Sequence, residues 1–358
     1  MKYFLLVVVS AIFAMGLVMI YSTTSAEIID HDLETHHHHG FFKQILFAGI
    51  GIALAGSVWR VGYRRFVEWS PFLFVLFILL LLLTLIPGIG RVVNGSRRWL
   101  GVGGFSFQPS EFVKYVIPAF FIYKYLELKE FDLKKLLQVV GMIAIPMGLI
   151  LIEPNNGTVV VIGMTLFAMC LLTRVPMKFW AWPLVGFLLV GGAFAYHLPY
   201  VSARIKVYLN PELDLRGRGH QPYQAKIATG SGKMFGLGPG ESWQKLSFLP
   251  EAQNDYIAAV YAEEYGFLGI SLLISSYMLF AYLGFYIAAH SKDEVGFYMG
   301  SVVTFLICMQ AFLNLGVVSG LLPSTGLNLP FFSQGGSSLM ANFMGVGLLL
   351  SIHEDKNG

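Results

Sequence analysis

Four ionisable side chains stand in stretches that are otherwise apolar: Asp255, Glu263, Glu111 and Lys114. After Pro250 the sequence reads as a helix with Asp255 in its first turns. At 3.6 residues per turn Asp255, Ala259, Ala262 and Glu263 share one face, with Glu263 roughly 12 Å further along the axis. Two carboxylates on one side of a helix can take a proton from a reacting hydroxyl or hold a hard cation. An acid near a helix start also serves simply as a partner for the helix dipole. Pro109 opens a second helical stretch with Glu111 and Lys114 one turn in, an i,i+3 pair that can neutralise itself or offer a charge to a ligand.

The elements that must carry these groups follow from composition. The 358 residues are 56% hydrophobic and only 13% charged, about half the charge of a soluble domain. With a mean hydropathy of +0.65, this is the composition of an integral membrane protein. Ten apolar runs long enough to cross about 30 Å of hydrocarbon lie at 3–21, 41–59, 71–87, 109–126, 136–152, 157–173, 179–197, 266–289, 295–318 and 336–352. The fold expected is all-α: a polytopic membrane domain over 1–358, with about ten helices, both termini cytoplasmic, and a large extracellular loop, 198–254, between spans seven and eight. The first run resembles a signal peptide, with Thr24 and Ala26 near a cleavage-like site, but the many spans after it favour an uncleaved helix.

Lys and Arg in short loops set the orientation. With the N-terminus inside, the inner loops hold Arg60, Arg64, Arg65, Lys124, Lys129, Lys134, Lys135, Arg174, Lys178 and Lys292, whereas outer loops 22–40 and 319–335 hold no Lys or Arg at all. Outer segments 88–108 and 198–254 break the rule with Arg91, Arg97, Arg98, Lys226, Lys233 and Lys245 among others. Binding an anion at the outer face is the simplest reason to keep them there.

Several classes drop out. A balance of 24 basic against 21 acidic residues is too even for nucleic-acid binding. Cys170 and Cys308 sit singly in apolar runs and read as small buried hydrophobes, with no disulfide framework or CxxC motif. The His36–His39 run reads as a solvated loop or a non-native tag rather than a metal site, and the sequons at Asn94 and Asn156 carry little weight. The glycines of Gly230–Gly240 match no nucleotide-binding loop, because Met234 follows Lys233.

Four blocks then occur in order across nearly the whole chain: 95–112 (GSRRWLGVGGFSFQPSEF), 153–158 (EPNNGT), 248–251 (FLPE) with Asp255 and Ala262-Glu263-Glu264, and 320–339 (GLLPSTGLNLPFFSQGGSSL). They resemble the signature blocks of the SEDS family, the RodA, FtsW and SpoVE proteins. Two positions depart from the family pattern. Asn155 stands where the family has an Asp, which removes a second acid, and Gln253-Asn254 stand where it has His-Thr, which removes a proton relay. The short tails at both ends resemble the RodA branch, while Glu241-Ser-Trp-Gln-Lys-Leu246 is worded more like FtsW.

The resemblance implies a peptidoglycan glycosyltransferase of the bacterial cytoplasmic membrane that polymerises lipid II at its outer face during cell elongation and shape maintenance. It also implies a class B penicillin-binding protein transpeptidase and other elongation machinery as partners. Such a reaction needs a base for the acceptor hydroxyl and cations for the departing diphosphate. Asp255 is the expected base, or the ligand of a divalent cation such as Mg or Mn bridging to the diphosphate; no organic cofactor is expected. Arg97, Arg98 and Lys114 are the candidate diphosphate contacts, with Trp99, Glu111, Lys245 and Glu251 as further expected substrate-binding residues. Pro323, Gly326, Pro330, Gly335 and Gly336 interrupt helix at membrane depth, where irregular backbone persists only against protein or a wet cavity. Ser333, Gln334, Ser337 and Ser338 are expected to face that cavity, with Glu153 and Glu263 supporting it. A flippase for the same lipid, an FtsW-type division polymerase and a recruiting scaffold are the alternatives.

Overall fold

In a computed structural model, residues 1–30, 39–93, 96–102, 105–127, 132–180, 208–209, 219–246, 249 and 252–355 are described. In chain order the elements are α1 (Lys2–Asp30), α2 (His39–Val61), α3 (Tyr63–Glu68), α4 (Ser70–Leu85), β1 (Gly90–Val93), β2 (Ser96–Val102), β3 (Phe105–Phe107), α5 (Pro109–Leu126), α6 (Leu133–Ile152) and α7 (Asn156–Leu172). After a 3-10 turn at Met177–Phe179 come α8 (His220–Ser231), α9 (Ile257–Ala289), α10 (Glu294–Val318) and α11 (Gly336–Asp355). Nine of the ten expected spans coincide with helices. The seventh, 179–197, lies almost wholly outside the described residues, as do Glu251, His36 to His38 and much of the 198–254 loop.

The chain is a multi-pass membrane protein. Helices α1, α2, α6, α9, α10 and α11 are each long and apolar enough to cross a bilayer, and α4 and α7 are shorter apolar helices. Burial sorts them into layers. Within their spans 72% of α10 and 83% of α11 are buried, against 28–39% for the other four long helices, so α10 and α11 form the centre and the rest face lipid. Helix α5 joins the centre, with every residue from Pro109 to Ile122 buried. Without a hydrophobic drive between helices in lipid, close contact does the packing. At the α2–α11 crossing a side chain on Gly347 would lie 2.4 Å from the Ala55 carbonyl oxygen.

Lys2 Nζ meets Glu354 at 2.7 Å, which brings the first and last helices to one end of the bundle. A polar clamp closes that end. Asp293 caps α10 through the Gly296 N–H at 2.8 Å and accepts from Arg64 Nε at 2.6 Å and the Tyr63 hydroxyl at 3.0 Å. Arg64 also reaches Asp355 at 2.7 Å. Burial pushes the Asp293 carboxyl up, but the Gly296 N–H and the Arg64 guanidinium outweigh it and hold the group below its ordinary range.

Segment 88–108 is not the plain loop the sequence implied. Strands β1, β2 and β3 form an antiparallel meander, with Arg91 opposite Trp99, Leu100 opposite Phe107, and an irregular register between Arg91 and Val92. Strands of three to seven residues are too short for an apolar alternation to declare itself.

Helix α9 is broken at Gly266, whose φ of 65° and ψ of −161° no helix allows. The glycine-rich segment after α8 fills the gap. Leu237 N donates to the Glu263 carbonyl at 2.9 Å and Gly238 N to that of Glu264 at 3.1 Å, while Phe267 N and Leu268 N donate to the Lys233 and Met234 carbonyls at 2.9 and 3.2 Å. Four peptide groups at the break are thereby re-used. The glycines that match no nucleotide loop are there for close approach: a Cβ on Gly236 would lie 2.1 Å from the Glu264 carbonyl oxygen.

Two outcomes follow. Gly236→Ala should cost about 2 kcal/mol or more through clash and left-handed strain, whereas Gly240→Ala, at the same φ of 83° with open space around it, should cost about half that; melting curves in detergent compare the two. Because the folded pKa of Asp293 is depressed, its clamp stabilises above the ordinary Asp value near about 4 and is lost as pH falls below it. Melting temperature should therefore drop more steeply on acidification in the wild type than in Asp293→Asn.

Candidate active site

At the end of the bundle opposite the termini, Asp255 lines a partly open cavity of about 110 Å³ together with Gln221, Tyr256, Asn314, Val317, Ser324, Thr325, Gly326 and Leu327. Four stretches of chain meet here: α8, the turn before α9, the end of α10, and the irregular segment between α10 and α11. Asp255 belongs to the turn 252–256, and α9 begins only at Ile257. The reason is local. Asn314 Nδ2 donates to the Asp255 carbonyl at 2.8 Å, occupying the acceptor that a helix would need, and the helical ladder starts from Tyr256 instead.

The same Asn314 amide donates to the Leu327 carbonyl at 2.7 Å, so one side chain of α10 fastens the Asp255 turn to the opposite wall. One turn earlier, Gln310 Nε2 donates to the Asn328 carbonyl at 2.9 Å. The rest of the 320–335 segment is tied down in the same way. Asn328 Nδ2 donates to the Gln334 carbonyl, Tyr277 to the Pro330 carbonyl, Gln44 to the Ser333 carbonyl, and Gln334 N to the Gln253 carbonyl. Gly326, at φ 70°, faces the acid: a Cβ there would lie 3.7 Å from Asp255 Oδ2. The first turn of α7 abuts this wall, with Gly157 directly against the Thr325 carbonyl.

The remaining expected residues separate into groups. Glu111 and Lys114 pair at 2.8 Å, and the buried ammonium also donates to Gln310 Oε1 at 2.6 Å, so Lys114 braces the scaffold instead of lining the Asp255 cavity. Lys245 is likewise engaged, with Glu264 at 2.8 Å, Ser22 at 2.9 Å and the Gly240 carbonyl at 2.6 Å. Glu263 does not look into the same space as Asp255. It is buried and accepts from Ser242 at 2.5 Å and from Gln244 N at 3.2 Å.

Arg97 and Arg98, adjacent in β2, point to opposite faces, as neighbours in a strand must. Arg98 donates to the Glu153 and Pro154 carbonyls at 2.9 and 2.6 Å. Arg97 and Trp99 are half-buried on the other face. Glu153 lies just past α6 and accepts from the Thr84 hydroxyl; burial pushes its carboxyl up to about 7, against the pull of Thr84 and Arg98. Asn155 caps α7 through Thr158 N and donates to Ser110, a use of an amide in its own right.

Ser333, Ser337 and Ser338 were expected to face the cavity, but they satisfy nearby groups. Ser333 accepts from Leu329 N at 2.8 Å, Ser337 from Gln108 N at 2.9 Å, and Ser338 from Asn342 at 3.5 Å. Of the glycines and prolines in this block, Gly326 lines the cavity, Pro323 is exposed, Pro330 is buried, and Gly335 and Gly336 pack against Asn328 and Phe47. The wall is made by 324–327, of which Gly326 was singled out from sequence and Ser324, Thr325 and Leu327 were not. Asn314, Gln310 and Gln221 escaped notice. A visible signal existed for two of them: Gln310 and Asn314 are polar, four apart, and inside an apolar span.

A carboxylate in a polar cavity at one end of an α-helical bundle, held by side chains rather than by regular backbone, defines a multi-pass membrane protein with a polar site at one mouth of its bundle. The family model described as "Cell cycle protein" (FtsW, RodA, SpoVE) matches residues 2–358, and the chain belongs to that family. It is 37% identical to stage V sporulation protein E of Bacillus subtilis, over 97% of this chain and 95% of the relative. The same identity and coverage hold for the "Probable peptidoglycan glycosyltransferase FtsW" of Coxiella burnetii. Among solved structures, rod shape determining protein RodA of Thermus thermophilus superposes with a TM-score of 0.71 at 25% identity, covering 99% of this chain and 97% of that one. A chain from "Structural coordination of polymerization and crosslinking by a peptidoglycan synthase complex" gives 0.80 at 25% identity, covering 98% and 97%.

Replacing Asn314 by Leu removes the donor shared by two buried carbonyls and should cost about 1–3 kcal/mol for each. Hydrogen exchange should rise across 252–257 and 324–330 while the Tyr63–Asp293 end stays protected.

Proposed function

We propose that this chain is a peptidoglycan glycosyltransferase that extends glycan strands from lipid II at the outer face of the bacterial cytoplasmic membrane, with Asp255 as its general base. The reading is carried by one observation: the acid that the family resemblance singles out lines an open polar cavity, at the end of the bundle away from both termini. The family and the names of its relatives support the same chemistry.

In the reaction the acceptor sugar's hydroxyl oxygen attacks the anomeric carbon of the donor, the bond from that carbon to the diphosphate breaks, and the diphosphate leaves with the electron pair. The proton of the hydroxyl passes to the Asp255 carboxylate. Asn314, by fixing the Asp255 carbonyl, holds this carboxylate in register with the 324–327 wall, where Ser324 and Thr325 supply hydrogen bonds for sugar hydroxyls. Arg97 is the arginine best left for the diphosphate, since Arg98, Lys114 and Lys245 are engaged elsewhere.

The donors of the cavity fit a hard divalent cation held by one carboxylate and substrate phosphates. Asp255 stands among the neutral oxygens of Gln221, Asn314, Ser324 and Thr325, and the described residues hold no cluster of three His, Cys, Asp or Glu. Such an ion would sit on Asp255 and lend positive charge to the leaving diphosphate.

Relatives named SpoVE and FtsW, at 37% identity over nearly the whole chain, favour a sporulation- or division-type polymerase. Polymerisation calls for crosslinking, and a class B penicillin-binding protein is the partner this reading requires.

The test is a gel assay of glycan polymer from labelled lipid II. Asp255→Asn should keep its fold and lose polymerisation by about 10²-fold or more. Undiminished product would overturn the assignment, and transport of lipid II across vesicles without polymer would favour a flippase.

A further inference from the structure

The segment that splices the break in α9 carries large apolar side chains outward. Met234 is 52% exposed, Phe235 78%, Leu237 43% and Trp243 67%. In a loop between helices these would ordinarily be polar, because they face water. Their neighbours explain the difference. Lys233 and Met234 are hydrogen-bonded through backbone to Phe267 and Leu268, themselves 62% and 51% exposed, and those residues open a stripe that continues down α9 through Leu272, Met278 and Tyr282. That stripe is the lipid-facing side of a membrane-spanning helix.

Depth agrees from two directions. The polar run at the terminus-bearing end of α9 begins at His290. Counting back roughly 20 residues at about 1.5 Å each crosses the hydrocarbon and arrives within a turn of Leu268. The same count along α1 from Lys2 arrives at Ser22, which meets Lys245 and Glu264 on the other side of the splice. The segment therefore lies at the boundary between acyl chains and headgroups.

Its backbone is prepared for that position. Gly236 N is satisfied by the Gly232 carbonyl at 2.7 Å, and the N–H groups of Leu237 and Gly238 are satisfied within α9. Irregular backbone tolerates lipid only when its polar groups are paired internally. Exposed Lys233 and Glu241 flank the apolar group, as polar residues do at a membrane surface.

We propose that residues 233–243 form an interfacial anchor, with Met234, Phe235, Leu237 and Trp243 inserted among phospholipids of the leaflet on the Asp255 side. The occupant is lipid, since the patch is continuous with a lipid-facing helix and lies at its boundary. The anchor holds the α9 splice, and with it the half-helix leading from Asp255, at a fixed depth.

The test uses the full chain in vesicles of phosphatidylethanolamine and phosphatidylglycerol, carrying a nitroxide at Phe235→Cys in a Cys170→Ser, Cys308→Ser background. Collision rates with oxygen and with a nickel chelate are compared with labels at Met278→Cys on the lipid face and Lys292→Cys in the exposed bend between α9 and α10. The oxygen-to-nickel ratio at 235 should exceed that at 292 by roughly five-fold or more, because the two reagents partition oppositely across the interface. A ratio equal to that at 292 would overturn the proposal, and so would low collision with both reagents, which would mean a protein cover. If Phe235→Cys fails to fold, Leu237→Cys carries the same measurement with the same two readings.

Discussion

A peptide group in a bilayer has no water to turn to, and this requirement governs every irregular stretch of the molecule. Where α9 breaks at Gly266, a second segment supplies the missing partners. Where the chain abandons helix between Val318 and Gly336, the donors are side chains from neighbouring helices: Asn314 and Gln310 from α10, Tyr277 from α9 and Gln44 from α2. The cavity exists because that scaffolding lets non-helical backbone stand at the mouth of the bundle with its carbonyls already occupied. The Asp255 carbonyl is held in the same way, by the Asn314 amide.

Charge is handled by the same rule. The buried ammonium of Lys114 has Glu111 and Gln310 around it, and Lys245 has Glu264, Ser22 and a carbonyl. A buried pair adds little net stability, but removing either member strands a charge at a cost of about 3–5 kcal/mol. The pairs therefore fix geometry. Lys114 links α5 to the residue of α10 that carries Asn328, and Lys245 links the splice to α1. Lys114 and Lys245, which looked from sequence like anion ligands, are braces, because a cation buried in a helical bundle must first be neutralised by its own chain.

Apolar run length gave the helices plainly, since lipid imposes that length directly: nine expected spans coincide with helices, two of which, α1 and α9, run nine residues further at the end away from the termini. The β-meander and the break in α9 were not legible, because both depend on pairings between segments rather than on periodicity within one. At the site, Asp255 was legible through its apolar surroundings and the family resemblance, and Gly326 through its place in an interrupted block. Reading Glu263 onto the same face failed because helical counting assumes a helix that had not yet begun at residue 255. Ser333, Ser337 and Ser338 were misread for a related reason: hydroxyls near bent backbone satisfy the bend before they serve a ligand.

The amide of Asn314 joins residues separated by 59 and 13 positions in the chain. During synthesis Asp255 leaves the ribosome long before its fastener, and the opposite wall at Leu327 comes later still. A nascent or truncated polypeptide lacking that last stretch has the acid but no assembled pocket around it. An assembled pocket thus needs chain on both sides of Asn314, and it forms only once Leu327 has been made.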